Sequence, residues 1–392
     1  MAIANLVAAA RHDWRFSKRL ILSYVLDWIL ILATAAAGRI LKFAEPNRHP
    51  FSLSDPSISF PFTVDESVTV TVLVLVSLVV PTAIILLVCI FFIQELTADK
   101  MRPKARVWQR KLWELNVGWM GLGIACAGSY VSTEAIKLIY GKPRPDLLSR
   151  CMPNFSDISS HVVGGQGQVI DGAPILVSYT ICQETSEKLT REGFVSFPSG
   201  HSSLSFACLT YLSLWLCAKF SISIPYLARR HYTQDTSTQQ TARLANTPNN
   251  HTSIKSEHDG EPTHSDANLI PIREQSAAPP IYLLIIVAAP IATATYIASS
   301  RWADNRHAGF DVLGGSLLGI FFAFLGFRWY HPPLSVGGAG WAWGARAPEK
   351  AFFAGIGVNW YVKHEGLENG RTSSSLSPSS LRRIAQSGDN NV

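Results

Sequence analysis

The chain has 392 residues, of which 47% are apolar and only 16% charged. That balance excludes an ordinary soluble globular protein, which carries more charge and fewer long apolar runs. The formal net charge of +6 sits largely in loops that flank apolar segments, so it reads as the basic bias of inner membrane loops, with no nucleic acid implied.

In chain order, six stretches approach the ~20 residues that a helix needs to cross hydrocarbon: 20–37, 68–93, 115–133, 202–220, 281–299 and 312–330. The expected fold class is therefore an all-α membrane protein, a bundle of six transmembrane helices. The first stretch follows Arg11, Arg15, Lys18 and Arg19, and a cleaved signal peptide is the competing reading there. Asp27 lies inside that stretch with no partner legible in the sequence. The third is rich in glycine, serine and alanine, residues that suit close helix packing. Lys100, Arg102, Lys104, Arg106, Arg110 and Lys111 mark the loop between spans two and three as cytoplasmic, together with the amino terminus.

This topology divides the chain into a cytoplasmic amino terminus (1–19), spans one to four with a long third loop (20–218), a polar cytoplasmic loop (219–280), spans five and six (281–333) and a cytoplasmic tail (334–392). From about Arg229 to Pro280 the chain is too polar to offset its ordering entropy, and disorder is expected there and in the serine-rich tail. Cys151 and Cys182 both fall in the third loop, on the non-cytoplasmic side, where a disulfide persists. Asn154-Phe-Ser is a glycosylation sequon on the same loop, whereas Asn250-His-Thr lies on the cytoplasmic side.

Three clusters at the ends of apolar segments carry chemistry, and all three fall on the non-cytoplasmic side. The first, Lys137 to Pro145, offers Lys137 and Arg144 around a Gly/Pro turn; an arginine fork matches two phosphate oxygens and lysine supplies a point charge. The second, Phe197-Pro-Ser199-Gly200-His201, opens span four. Ser199 is the expected helix N-cap, the free amides of the first turn suit an anion, and His201 at their mouth can protonate a leaving oxygen. The third runs from Ser300 to Asp311 and adds Arg301, His307 and Asp311. His307 and Asp311 are four residues apart, so a helix starting near His307 would let the carboxylate bond one ring nitrogen and activate the other. A zinc site could use His201, His307 and Asp311, but it leaves three cations without a role, while an anion explains all six residues.

The ordered trio K-x6-R-P, P-S-G-H and S-R-x5-H-x3-D resembles the type 2 phosphatidic acid phosphatase superfamily, in the form found in eukaryotic lipid phosphate phosphatases and fungal diacylglycerol pyrophosphate phosphatase-like enzymes. The resemblance covers residues 20–333. It implies that His307 attacks phosphorus, Asp311 orients it, and His201 protonates the leaving group and then activates water. It also implies that Lys137, Arg144, Ser199, Gly200 and Arg301 hold the phosphoryl oxygens, with no metal or other cofactor. The implied substrates are phosphatidic acid, lysophosphatidic acid and diacylglycerol pyrophosphate, hydrolysed at a lumenal or extracellular face of an endomembrane or the plasma membrane. Sphingoid-base phosphates and polyprenyl diphosphates use the same kind of site. A vanadate-dependent haloperoxidase and an inactive membrane scaffold are the readings from other classes; the spans weigh against the first and the intact motifs against the second.

Overall fold

The computed structural model describes residues 17–92, 104–184, 186, 191–220, 222, 280–334, 341–346 and 351–352. The polar loop from Arg229, the tail beyond Gly366, Asn250, and Lys100 and Arg102 of the basic loop after span two lie outside the described residues. The chain forms two compact units, one made of Met1–Ile29 with Gly344–Val392, the other of Leu30–Trp343. In the smaller unit Arg346 Nη2 bonds Asp27 Oδ2 at 2.6 Å, which supplies the partner that the sequence does not reveal.

The main helices are α1 (Lys18–Leu41), α2 (Val70–Phe91), α3 (Lys104–Tyr140), the short α4 (Leu147–Cys151), α5 (Gly200–Lys219), α6 (Ile281–Ala303) and α7 (Gly309–Tyr330). Among the described residues α1, α2, α6 and α7 are long and apolar enough to cross a membrane. The other two expected spans are helical, in α3 and α5, but do not reach that measure. The reason for α5 is its surroundings: Ser202, Ser203, Ser205, Thr210 and Ser213 are buried among neighbouring helices. Ser213 Oγ donates to the Val287 carbonyl of α6 at 2.7 Å, and Thr133 Oγ1 of α3 bonds Ser203 Oγ at 2.8 Å. A helix that faces helices rather than lipid has no need of a wholly apolar surface.

Small residues let these helices approach. A Cβ at Gly315 or Gly319 of α7 would fall on the Ser199 or Ser203 carbonyl oxygen, and one at Gly121 of α3 would fall on the Tyr211 hydroxyl. The tight α5–α7 seam holds two of the three sequence clusters together.

The all-α expectation needs one correction. Strands β1 (Phe51–Ser52), β2 (Val162–Gly164) and β3 (Leu176–Val177) form an antiparallel sheet in the order β1-β3-β2, pairing Phe51 and Val162 with Val177. Strands of two or three residues show no alternation for a sequence to reveal. The sheet belongs to a cap with its own core of Phe51, Ile58, Leu147, Val177, Ile181 and Phe194, each worth about 1.5–3 kcal/mol when buried. A disulfide joins Cys151 to Cys182, 31 residues on, and a cross-link of this kind contributes about 2–4 kcal/mol.

Candidate active site

The first cluster begins in the last turn of α3. Gly141 takes a positive φ of 52°, a conformation that favours glycine, and a Cβ there would fall on the Asn47 carbonyl. The turn is then clasped to the segment before α5: the Arg144 amide donates to Gly193 O at 2.8 Å and the Ser196 amide to Lys142 O at 3.1 Å. Lys137 and Arg144 thereby line one cavity of about 600 Å³ with Gly200, His201, Arg301 and His307. Lys137 Nζ bonds Glu134 Oε1 at 2.7 Å. Burial lowers its pKa, Glu134 counters that, and Arg144 and Lys42 add to the lowering. Arg144 is lowered to about 10, by burial first and then by Arg150, so it stays charged at neutral pH. Its Nε is buried without a hydrogen-bond partner among the described residues.

Ser199 caps α5, accepting from the Ser202 amide at 3.5 Å. Its own amide donates to Asp311 O at 2.9 Å, which ties the second cluster to the third. At Gly200 a Cβ would stand 3.1 Å from Lys137 Nζ, so glycine leaves the ammonium room at the helix mouth. The His201 ring bonds the Val68 backbone, while its Nε2 is buried with no partner among the described residues. Burial, followed by Arg301, Lys137 and Arg144, lowers its pKa to about 3. The ring is neutral until a negative charge enters.

Arg301 is 1% exposed. It donates from Nη1 to Glu66 Oε2 at 2.8 Å, from Nη2 to Asp304 Oδ2 at 2.7 Å and from Nε to Ser300 Oγ at 3.2 Å. His307 lies outside the helix, because α7 starts at Gly309. Its Nδ1 stands 2.7 Å from the Ser196 carbonyl oxygen. A carbonyl only accepts, so Nδ1 carries the hydrogen and Nε2 keeps a free lone pair. Burial first, then Arg144 and Lys137, hold the His307 pKa well below its ordinary value, which keeps that lone pair available.

The expected direct bond between Asp311 and His307 is absent among the described contacts. Asp311 is fully buried; it accepts from Lys142 Nζ at 2.7 Å, Ser196 Oγ at 2.6 Å and the Ala308 amide at 3.0 Å. As the third residue of α7 it caps the helix start. Ser196 is thus the hub, with its carbonyl holding the imidazole and its hydroxyl held by the carboxylate. Ser199 and Asp311 stand behind the cavity lining.

Sequence reasoning missed Ser196, Lys142, Glu66 and the buried pair Asp146–Arg150, bonded at 2.9 Å. Arg306 was overlooked too; it pairs with Glu66 at 2.9 Å and lines the cavity. Lys142 and Arg306 left a local signal, as bases inside the first and third clusters. Among the described residues no three His, Cys, Asp or Glu side chains are grouped to share a metal ion. Asn154 is partly exposed, and its side chain accepts from the Ser156 amide at 3.0 Å.

Comparison with known proteins places the chain among lipid phosphatase relatives. Diacylglycerol pyrophosphate phosphatase 1 of Saccharomyces cerevisiae is 25% identical over 311 residues, covering 79% of this chain and 80% of that protein. A probable lipid phosphate phosphatase 4 of Arabidopsis thaliana is 23% identical, covering 82% and 76%. A probable diacylglycerol pyrophosphate phosphatase 1 of Schizosaccharomyces pombe is 24% identical, covering 74% of each chain. No solved structure matches the chain. The model of the PAP2 superfamily matches residues 118–333, a span that holds all three clusters and more than half of the sequence, and the chain belongs to that superfamily.

Proposed function

We propose that this chain is an integral membrane lipid phosphate phosphatase that hydrolyses phosphatidic acid, lysophosphatidic acid and diacylglycerol pyrophosphate through a phosphohistidine on His307. The observation that carries the mechanism is the bond from His307 Nδ1 to the Ser196 carbonyl, which leaves Nε2 as a nucleophile beside Lys137 and Arg144. The relatives' names, diacylglycerol pyrophosphate phosphatase and lipid phosphate phosphatase, support the substrate class.

In the first step the Nε2 lone pair attacks phosphorus and the bond to the lipid oxygen breaks. That oxygen takes a proton from His201. Burial and the three cations hold His201 neutral, but a phosphate brings about two negative charges that offset most of the cations' field at the ring. The proton therefore arrives with the substrate. In the second step His201, now neutral, accepts a proton from water as its oxygen attacks phosphorus. The Nε2–P bond breaks and orthophosphate leaves. Lys137, Arg144, Arg301 and the amides around Ser199 and Gly200 stabilise the equatorial oxygens, where the transition state spreads its charge.

Six spans, with α3 and α5 as inner helices, would put the three clusters on the non-cytoplasmic face. The cavity continues along Val70, Leu73, Val74, Leu78 and Leu204, an apolar wall suited to a lipid whose headgroup reaches His307.

The test is phosphate release from phosphatidic acid and diacylglycerol pyrophosphate by the purified chain in detergent micelles with excess EDTA. Activity should survive the chelator and fall by roughly 10⁴-fold or more in His307→Ala, the range for loss of a nucleophile. Activity that needs added metal, or that persists without His307, contradicts the mechanism.

A further inference from the structure

The cavity holds more positive charge than one phosphate can use. Its lining brings Arg39, Lys42, Lys137, Arg144, Arg191, Arg301 and Arg306 together with only three carboxylates, Glu66, Glu134 and Glu192. Those carboxylates are committed: Glu134 to Lys137, Glu66 to Arg301 and Arg306, and Glu192 to Arg150. Lys137, Arg144 and Arg301 serve the transferred phosphate, and Arg306 is held by Glu66 at 2.9 Å and Asp146 at 3.7 Å. Arg39, Lys42 and Arg191 remain, and no ion pair joins any of them to a carboxylate among the described residues.

These three are grouped rather than scattered. The Arg39 guanidinium lies 4.6 Å from the centre of the Phe43 ring and the Arg191 guanidinium 5.3 Å from the same ring. Lys42 precedes Phe43 and stands near enough to Lys137 to depress it. Arg191 lies two residues before Gly193, whose carbonyl accepts the Arg144 amide at 2.8 Å; the loop that presents Arg191 is thus pinned to the phosphoryl pocket. Arg191 Nη2 is buried and has no hydrogen-bond partner among the described residues. A buried guanidinium donor without an acceptor is costly unless a ligand completes it. Arg39, in the last turn of α1, and Lys42 just after it are exposed at the rim.

We propose that Arg39, Lys42 and Arg191 form a second anion subsite that binds the retained phosphate of a lipid diphosphate while Lys137, Arg144 and Arg301 hold the phosphate passed to His307. This rests on the lipid phosphatase reading and adds a specificity device to it. A second phosphate brings roughly one to two further negative charges, which the surplus cations meet. A monophosphate lipid fills only the inner pocket. Once the terminal phosphate is removed, the subsite keeps hold of a phosphatidate headgroup, which must shift inward or leave.

The test compares wild type with the double variant Lys42→Gln, Arg191→Gln of the full chain. The first readout is the ratio of kcat/KM on diacylglycerol pyrophosphate to that on phosphatidic acid in mixed micelles. The ratio should fall roughly ten- to a hundredfold, the value of one or two charge-assisted bonds. The second is binding of methylenediphosphonate and of orthophosphate, measured by thermal stabilisation. Wild type should favour the diphosphonate and the variant should lose that preference. An unchanged ratio, or a parallel fall on both lipids, would overturn the subsite. If Arg191→Gln does not fold, Arg39→Gln with Lys42→Gln at the exposed rim repeats both readouts. If wild type turns over neither lipid, the lipid phosphatase reading fails, and the diphosphonate preference still decides the subsite.

Discussion

At its amino end α5 presents His201 to a cavity; at its carboxyl end Lys219 is shut between Glu114 and two indole rings. The contrast separates charge that builds the protein from charge held for a ligand. Lys219 bonds the Glu114 carboxylate, which also accepts the Ala342 amide at 3.1 Å, and its ammonium lies 5.2 Å from the Trp215 ring and 5.7 Å from the Trp341 ring. That pair is paired, capped and closed. Around His201 three cations gather with cavity space between them, and both His201 Nε2 and Arg144 Nε are buried without partners among the described residues. A buried polar group left unsatisfied beside a cavity is arranged for something that enters it. Two groups at the closed end depart from this pattern: Trp215 Nε1 and both ring nitrogens of His331, which stacks on Phe327 at 4.9 Å, are buried with no partner among the described residues, and neither residue lines the cavity.

Substitutions at the two ends should therefore fail differently. His201→Ala should lower kcat/KM on phosphatidic acid by roughly 10²–10⁴-fold, as for loss of a general acid, with little loss of stability. The fall should be smaller on diacylglycerol pyrophosphate, because a phosphate leaving group is far less basic than an alkoxide and needs less proton assistance. Equal losses on both lipids would remove His201 from the leaving-group role. Lys219→Met should do the reverse. Stranding Glu114 should cost about 3–5 kcal/mol, read as a lower unfolding midpoint, while kcat per folded molecule stays at the wild-type value. A large kcat effect would break the distinction between the two ends.

The smallest expected effect sharpens the site itself. If Asp311 acts through Ser196 rather than on the imidazole, the backbone carbonyl still fixes the His307 tautomer when the carboxylate is lost. Asp311→Asn should then cost about 10–100-fold in kcat, the range for a supporting partner. A loss of about 10⁴-fold, as when a carboxylate holds the histidine directly, would show that the two groups meet during turnover.

The motif residues were legible because their chemistry is encoded locally. A base seven residues before Arg144-Pro145, a serine ahead of Gly200-His201 and an arginine six before His307 each keep their meaning within a short window. Ser196 was not legible, since its role comes from a carbonyl and a hydroxyl that face residues more than a hundred positions away. Glu66 likewise gains meaning only when the start of α2 meets the end of α6. The sequence placed His307 and Asp311 on one helical face, but α7 begins after His307, and the actual link runs through another loop. The inner helices α3 and α5 were legible as apolar segments; their serines and glycines make sense only once their helical neighbours are known.

The most direct measurement is to trap the intermediate. Purified protein is mixed with lipid phosphate carrying a labelled terminal phosphate and quenched in alkali within the first turnover. The account predicts protein-bound label that is stable to base and lost in acid, as for a phosphoramidate, and that is absent in His307→Ala. Label that survives in His307→Ala, or steady turnover with no base-stable label at any quench time, would contradict phosphate transfer through this histidine.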